Sequence, residues 1–268
     1  MDEKKKVLAL GLTILLVLAA VAGIYLLFFR PGGEALPPVK KTRAEQAAGE
    51  ESREADIPAF PGVSLDTSDD LIRRLARELT SHPRIDAWLP STDIIRRIAA
   101  AVDAVAEGRS PAKQIDFFTP RETFKVQAGK GREFLDPASY ERYSPAAEVF
   151  ISCNARDCAR FYKGLKPLFQ DAYRELGYPD RDFDRTLKQA LLELLAVPVV
   201  EGEVRLEKKV KTYMFADPAL ESLSEAQKHF LRMGPESVAA VQIKLRELAL
   251  ALGIPEESLP PQRTITAR

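Results

Sequence analysis

The sequence predicts a mainly α fold with a small antiparallel β-sheet (α+β), carried behind a single N-terminal transmembrane helix and a flexible linker. Three observations predict it. An uncharged run fills residues 7–29, apolar residues recur at three- and four-residue spacing between Leu71 and Leu252, and two short alternating stretches flank turn-forming residues. The corresponding division is a basic tail at 1–6, a transmembrane helix at 7–29, a disordered linker at 30–66, one globular, mainly helical domain at 67–253, and a flexible C-terminal tail at 254–268.

Val7 to Phe29 reads VLALGLTILLVLAAVAGIYLLFF. As a helix it reaches roughly 34 Å, enough to cross a hydrocarbon core of about 30 Å. A cleaved signal peptide is the rival reading, since Ala20-Val21-Ala22 has the small-x-small form. Gly23 to Phe29 stays apolar beyond that point, and a cut there would leave a greasy new terminus, which favours an uncleaved anchor. The first 150 residues hold no cysteine to carry a lipid. Lys4, Lys5 and Lys6 abut the span on one side and Arg30 stands alone on the other, a bias that favours the N-terminus inside. The expected location is therefore the inner membrane, single-pass, with the globular domain in the periplasm.

From Arg30 to Asp66 no hydrophobic period appears. Pro31-Gly32-Gly33, Pro37-Pro38 and a mixed-charge Ala/Glu stretch through Asp56 cannot bury enough apolar surface to offset ordering entropy. A chain of that length spans on the order of 34 Å.

The helical period then becomes plain. Leu71, Ile72, Leu75 and Leu79 share one face behind Ser68 as the expected N-cap. Ile94, Ile95, Ile98, Ala101, Val102 and Val105 repeat the pattern, opened by Ser91 or Thr92 and ended by Gly108. Asn154 caps a third helix whose inner face runs from Cys158 through Phe161, Tyr162, Leu165, Leu168, Phe169, Ala172 and Tyr173 to Leu176, with Pro167 expected to bend it. Phe183, Leu187, Ala190, Leu191 and Leu194 mark a fourth, and a further pair covers Ser224 to Arg232 and Pro235 to Leu252. Strands are few. Phe124 to Gln127 and Arg132 to Leu135 alternate around Gly129-Lys130-Gly131, a hairpin signal. Val204 to Phe215 carries a weaker one, with Val210, Tyr213 and Phe215 as its apolar members and a turn at Glu207-Lys208-Lys209.

Composition excludes more than it selects. Lys plus Arg number 39 and Asp plus Glu 39, and this balance argues against nucleic acid as a partner. Two cysteines and two histidines, far apart, give no zinc site of ordinary spacing, so no metal and no cofactor are expected. Asp180-Arg181-Asp182-Phe183-Asp184 is the sharpest acidic cluster, but an EF-hand counted from Asp180 would put Arg185 at its glycine position and Leu191 at its glutamate. Helix capping explains these acids, with Asp184 expected to pair Lys188. Cys153 and Cys158, five residues apart, cannot bridge within one helix. A disulfide needs Cys153 outside the helix that Asn154 caps, and two reduced thiols are the favoured reading. His82 and His229 have no cysteine or serine partner at a recognised spacing. On the last helix Val238, Val241, Leu245, Leu248 and Leu252 form one seam, while Ile243 and Leu250 fall nearly opposite, either sandwiched or offered to a partner.

Several phrases together carry a resemblance: HPRIDAWL from His82 to Leu89, FLDPASYERY from Phe134 to Tyr143, LKPLFQDAYRELGYPDRDFD from Leu165 to Asp184, YMFADPALESLS from Tyr213 to Ser224, and LRMGPE from Leu231 to Glu236. They resemble an uncharacterised family of Gram-negative bacterial membrane-anchored proteins, the domain of unknown function DUF3014. The resemblance implies an anchor and linker and supplies no activity or catalytic residue. Two functions are expected on the residues alone. The first is a membrane-held interaction or adaptor module for another envelope protein, with Ile243, Leu250, Tyr178 and Arg181 as candidate contacts. The second is a carboxylate-dependent hydrolase or ligand-binding protein acting on a cell-wall or lipid-linked substrate, with Asp180, Asp182 or Asp184 as acids, or with Phe161, Tyr162, Phe169 and Tyr173 lining a pocket.

Overall fold

Eight α-helices and six short strands are placed by the computed structural model, which describes residues 57–87, 89–115, 120, 122–129, 131–210 and 212–267. The expected basic tail, the transmembrane run and residues 30–56 of the linker lie outside the described residues. Among the described residues no helix is long and apolar enough to cross a membrane.

Two large hydrophobic clusters organise the body, with a small third of Val105, Ala106, Ala190 and Ala226. The first is gathered by α1 (Asp69–Leu79), α2 (Ile94–Ala106), α4 (Ala155–Glu175) and α5 (Phe183–Leu195), and buries Leu71, Leu75, Ile95, Phe161, Leu165, Phe169, Tyr173 and Phe183. These are the positions that a 3.6-residue period brings to one face. Asn154 caps α4, its carboxamide oxygen accepting from the Arg156 and Asp157 N–H groups at 3.0 and 3.1 Å. Leu176, expected at the end of the inner face, is instead exposed, because α4 closes there and Gly177 turns the chain at φ +98°.

One expected cap keeps its place without its side-chain bond and the other is replaced: Ser68 stands at the N-cap of α1, its carbonyl accepting from Ile72 at 2.9 Å. Ser68 is buried and helical in conformation, and its hydroxyl donates back to the Leu65 carbonyl rather than accepting from α1. Neither Ser91 nor Thr92 opens α2. Its N-cap is Asp93, left-handed at φ 54°, while the Asp69 carboxylate accepts from the Asp93 and Ile94 N–H groups, both at 2.9 Å. The free donors of one helix are thus met by the first residue of another, a long-range cap that local sequence does not announce.

The second cluster is mostly aliphatic. α3 (Ser144–Ser152), α6 (Pro218–Glu221), α7 (Glu225–Leu231) and α8 (Pro235–Ala251) close over an antiparallel sheet of order β1-β2-β4-β5. β1 (Val126–Gly129) and β2 (Arg132–Leu135) form the expected hairpin, with Gly131 at φ +71°. β4 (Arg205–Lys208) and β5 (Tyr213–Phe215) form the other, and Phe134 pairs with Arg205 to join the two. The second turn lies later than expected: Lys209 donates to the Thr212 carbonyl, and Val210 at its tip is 98% exposed instead of joining the strand's apolar set.

Both domain boundaries move outward. Residues 254–267, expected as a flexible tail, lie on the body. Leu259 is buried in the aliphatic cluster, and β6 (Thr264–Thr266) pairs in parallel with β3 (Val199–Glu201). At the other end, Phe60, Val63 and Leu65 of the expected linker pack on the aromatic cluster. Gly164 makes this approach possible, since the Pro58 carbonyl oxygen occupies the space a Cβ would take.

Candidate interaction surface

The acidic loop follows α4 directly. Gln170 holds it from beneath, its amide donating to the Arg181 carbonyl at 2.8 Å while its oxygen accepts the Phe183 N–H at 3.0 Å. Asp182 caps α5 by accepting the Asp184 N–H, and Asp180 is exposed. Asp184 does not pair with Lys188. It accepts from the Tyr162 hydroxyl and from Lys166, both reaching across from α4. Burial, and then this bond, push the Tyr162 phenol up, and the same carboxylate raises Lys166. Of the three aspartates, one caps a helix, one is held in an ion pair and one faces solvent. Tyr178 and Arg181 are stacked together, the guanidinium 4.8 Å from the ring centre, and Tyr178 rests on buried Tyr173 with ring centres 4.7 Å apart.

The aromatic residues offered as a pocket are packed core. Phe169 stacks on Phe183 at 5.4 Å, Tyr162 meets Phe169 at 5.4 Å, and Tyr173 meets Phe183 edge-on at 5.5 Å. Of the four so offered, Phe161 also lines a shallow open recess of about 430 Å³, together with Pro58, Phe60, Arg74, Glu78 and Arg160.

α8 presents a different surface. Val238, Val241, Leu245 and Ala249 are buried, as the seam predicts, and Gln242 beside them is 2% exposed. On the far side Ile243 is 57% and Leu250 44% exposed, seven residues apart and therefore in line. Glu236 and Glu247 are exposed on the same face, Glu247 pairing with Lys244 at 2.6 Å. The face is an apolar pair edged by carboxylates. Tyr178, by contrast, packs on the aromatic cluster, whereas the buried side of α8 lies in the aliphatic one.

Three polar residues escape periodicity arguments. Asp103, within the apolar face of α2, is buried and accepts from Arg109 at 2.8 Å and from the Tyr173 hydroxyl at 3.4 Å, which in turn accepts from Thr186 at 3.0 Å. A lone carboxylate amid IIRRIAAAVDAVA was the available signal. Gln242 donates to the Leu194 and Val197 carbonyls at 3.0 and 2.8 Å, closing the C-terminus of α5. His229 lies against Ser110, Nδ1 to Oγ 3.1 Å, with its ring edge-on to Tyr143 at 5.7 Å. Among the described contacts no carboxylate orients that ring, so the pair lacks the third member of a catalytic triad. Among the described residues no group of three or more His, Cys, Asp or Glu side chains is gathered as a metal ion would need.

The fold and these surfaces define a helical α+β domain with an exposed apolar helix face. Residues 94–249, from the first residue of α2 to the last turn of α8, match the family described as "Protein of unknown function (DUF3014)", and the chain belongs to that family. No curated protein and no solved structure matches the chain.

Proposed function

We propose that this chain is an interaction module of the bacterial cell envelope, held in the inner membrane by residues 7–29 with its helical body in the periplasm. The body docks onto another envelope protein through the outer face of α8. The observation that carries this reading is the exposed pair Ile243 and Leu250 on a helix whose opposite side already fills the core. Two large aliphatic side chains aligned at heptad spacing lose water-exposed area when a partner covers them, each contributing on the order of 1–2 kcal/mol. Glu236 and Glu247 at the edge fit a partner helix with apolar residues at matching spacing and Lys or Arg beside them. The uncharged run 7–29, followed by residues 30–56 without hydrophobic period, suits a body that reaches partners near the membrane.

A photo-activated cross-linking residue at position 243 of the full-length, membrane-inserted chain tests the docking. One recurring protein adduct is expected, lost when Leu250→Asp is added, with none from the same group at exposed Lys188 on α5. No adduct at 243, or the same adducts at both positions, rejects the surface. The membrane assignment has its own check. Alkaline carbonate should leave the chain in the membrane pellet, and a reporter fused to its C-terminus should be active only in the periplasm.

A further inference from the structure

We propose that Cys153 and Cys158 form a redox site, at which a small disulfide oxidant converts the two thiols into an intrachain disulfide fastening the corner between α3 and α4. They are the chain's only cysteines. Both are reduced in this structure and half-buried, so a small oxidant can reach them without unfolding the body.

The corner geometry brings them together. Cys153 ends α3 in an extended conformation (φ −68°, ψ 141°) and is the residue just before the Asn154 cap. Cys158 is the fourth residue of α4, its N–H bonded to the Asn154 carbonyl at 2.9 Å. The residue before an N-cap and the fourth residue of the helix are the two positions that pack against each other across a helix start, a contact usually made by two hydrophobes. Here both are thiols, and the Cys153 Sγ donates to the Val149 carbonyl at 3.3 Å. The obstacle to a bridge within one helix is therefore absent, because Cys153 stands outside it.

The surroundings assign the roles. A hydrogen bond from Cys158 holds the Cys153 thiol low, burial opposes this, and Lys244 on α8 adds to the lowering. The same contact and burial push the Cys158 thiol up. Cys153, in the turn between the two helices rather than within α4, is the first nucleophile. Its thiolate attacks one sulfur of an oxidised glutathione molecule. A Cys153–glutathione bond forms, the glutathione S–S bond breaks, and one glutathione thiolate leaves. Cys158 then releases its proton and attacks the Cys153 sulfur, forming the Cys153–Cys158 bond and expelling the second glutathione. The two protein thiols give up two electrons, one glutathione disulfide is reduced to two thiols, and these take the two protons.

The test uses the full chain in detergent with oxidised glutathione, followed by intact mass, thiol titration and thermal unfolding. The expected product has lost two hydrogens and both titratable thiols, reverts with a dithiol reductant, and unfolds a few degrees higher, roughly 5 °C for so short a loop. Cys158→Ser should stop as a stable glutathione adduct on Cys153. Cys153→Ser should react at Cys158 at least about tenfold more slowly. A wild-type chain that keeps both thiols, or that stops at the glutathione adduct, overturns the proposal, as does equal reactivity of the two single variants. None of these outcomes depends on whether α8 docks a partner.

Discussion

The aromatic and aliphatic clusters stabilise the same body by different routes. The aromatic cluster is dominated by residues close in sequence: Phe161, Leu165, Phe169 and Tyr173 lie on one helix, and Phe183 follows on the next. The aliphatic cluster draws Leu135 from a hairpin, Leu195 and Val197 from the end of α5, Val238 and Leu245 from α8, and Leu259 from beyond the last helix. Local packing can form early and is readable from a period, whereas non-local packing requires loop closure first and leaves little trace in any one segment.

The largest expected effect probes the local cluster. Phe183 is 1% exposed and touches Phe169, Tyr162 and Tyr173. Phe183→Ala should cost about 3–5 kcal/mol in denaturant unfolding, for lost transfer and an unfilled cavity. Leu259→Ala probes the other cluster and should cost about 2–3 kcal/mol, with faster amide exchange in β3, because Leu259 anchors the segment that leads to β6. A negligible change at Leu259 would return residues 254–268 to a dispensable tail and dissolve the contrast.

Gln242→Leu comes next. The substitution adds an apolar group among apolar neighbours, so a pure burial argument predicts a gain. The amide, however, serves the Leu194 and Val197 carbonyls and accepts from Gln262 at 3.2 Å. Leaving buried carbonyls unmet should cost about 1–3 kcal/mol, and β6 should exchange faster as Gln262 loses its acceptor.

The sequence foretells the members of the local cluster far better than those of the other. Its helices and the Asn154 cap follow from spacing, and the first hairpin of the other cluster follows from its glycines, whereas the second hairpin turns later than its residues suggest. It does not foretell that Asp69 would cap α2, that the hairpins would join through Phe134 and Arg205, or that β6 would pair with β3, since each links segments whose meeting is decided by the fold. The same divide runs through the candidate surface. Ile243 and Leu250 are visible as a second apolar side of α8, but only the packing of the seam shows which side is free. Asp184, expected from its spacing to pair with Lys188, is instead taken by Tyr162 and Lys166 from another helix.

A smaller, pH-dependent effect separates the two regions further. Burial, with Arg232 and Arg142 adding, holds the His229 imidazole below its ordinary 6.5. Above that value the ring is neutral in both folded and unfolded chains and contributes no slope. As pH falls through it, the unfolded chain takes up a proton that the folded chain refuses, so stability declines toward lower pH. The wild-type melting temperature should therefore drop more steeply than that of His229→Gln between about pH 8 and pH 5. Equal slopes would mean that burial and the two arginines do not keep the ring from the proton.

The smallest effect on stability is the most informative about function. Ile243 projects from α8 with more than half its surface in water, so Ile243→Ser removes little buried area and should change unfolding free energy by no more than about 0.5 kcal/mol. Serine and isoleucine have similar helix propensities, so the exchange costs little on that account either. If the outer face of α8 is a docking surface, the same substitution should abolish the cross-link formed from position 250 while leaving the melting curve in place. A variant that melts several degrees lower would show that Ile243 is already covered by the chain's own segments, and the exposed pair would then belong to the aliphatic cluster. Stability unchanged and cross-link lost is the one combination that keeps packing and recognition on opposite sides of a single helix.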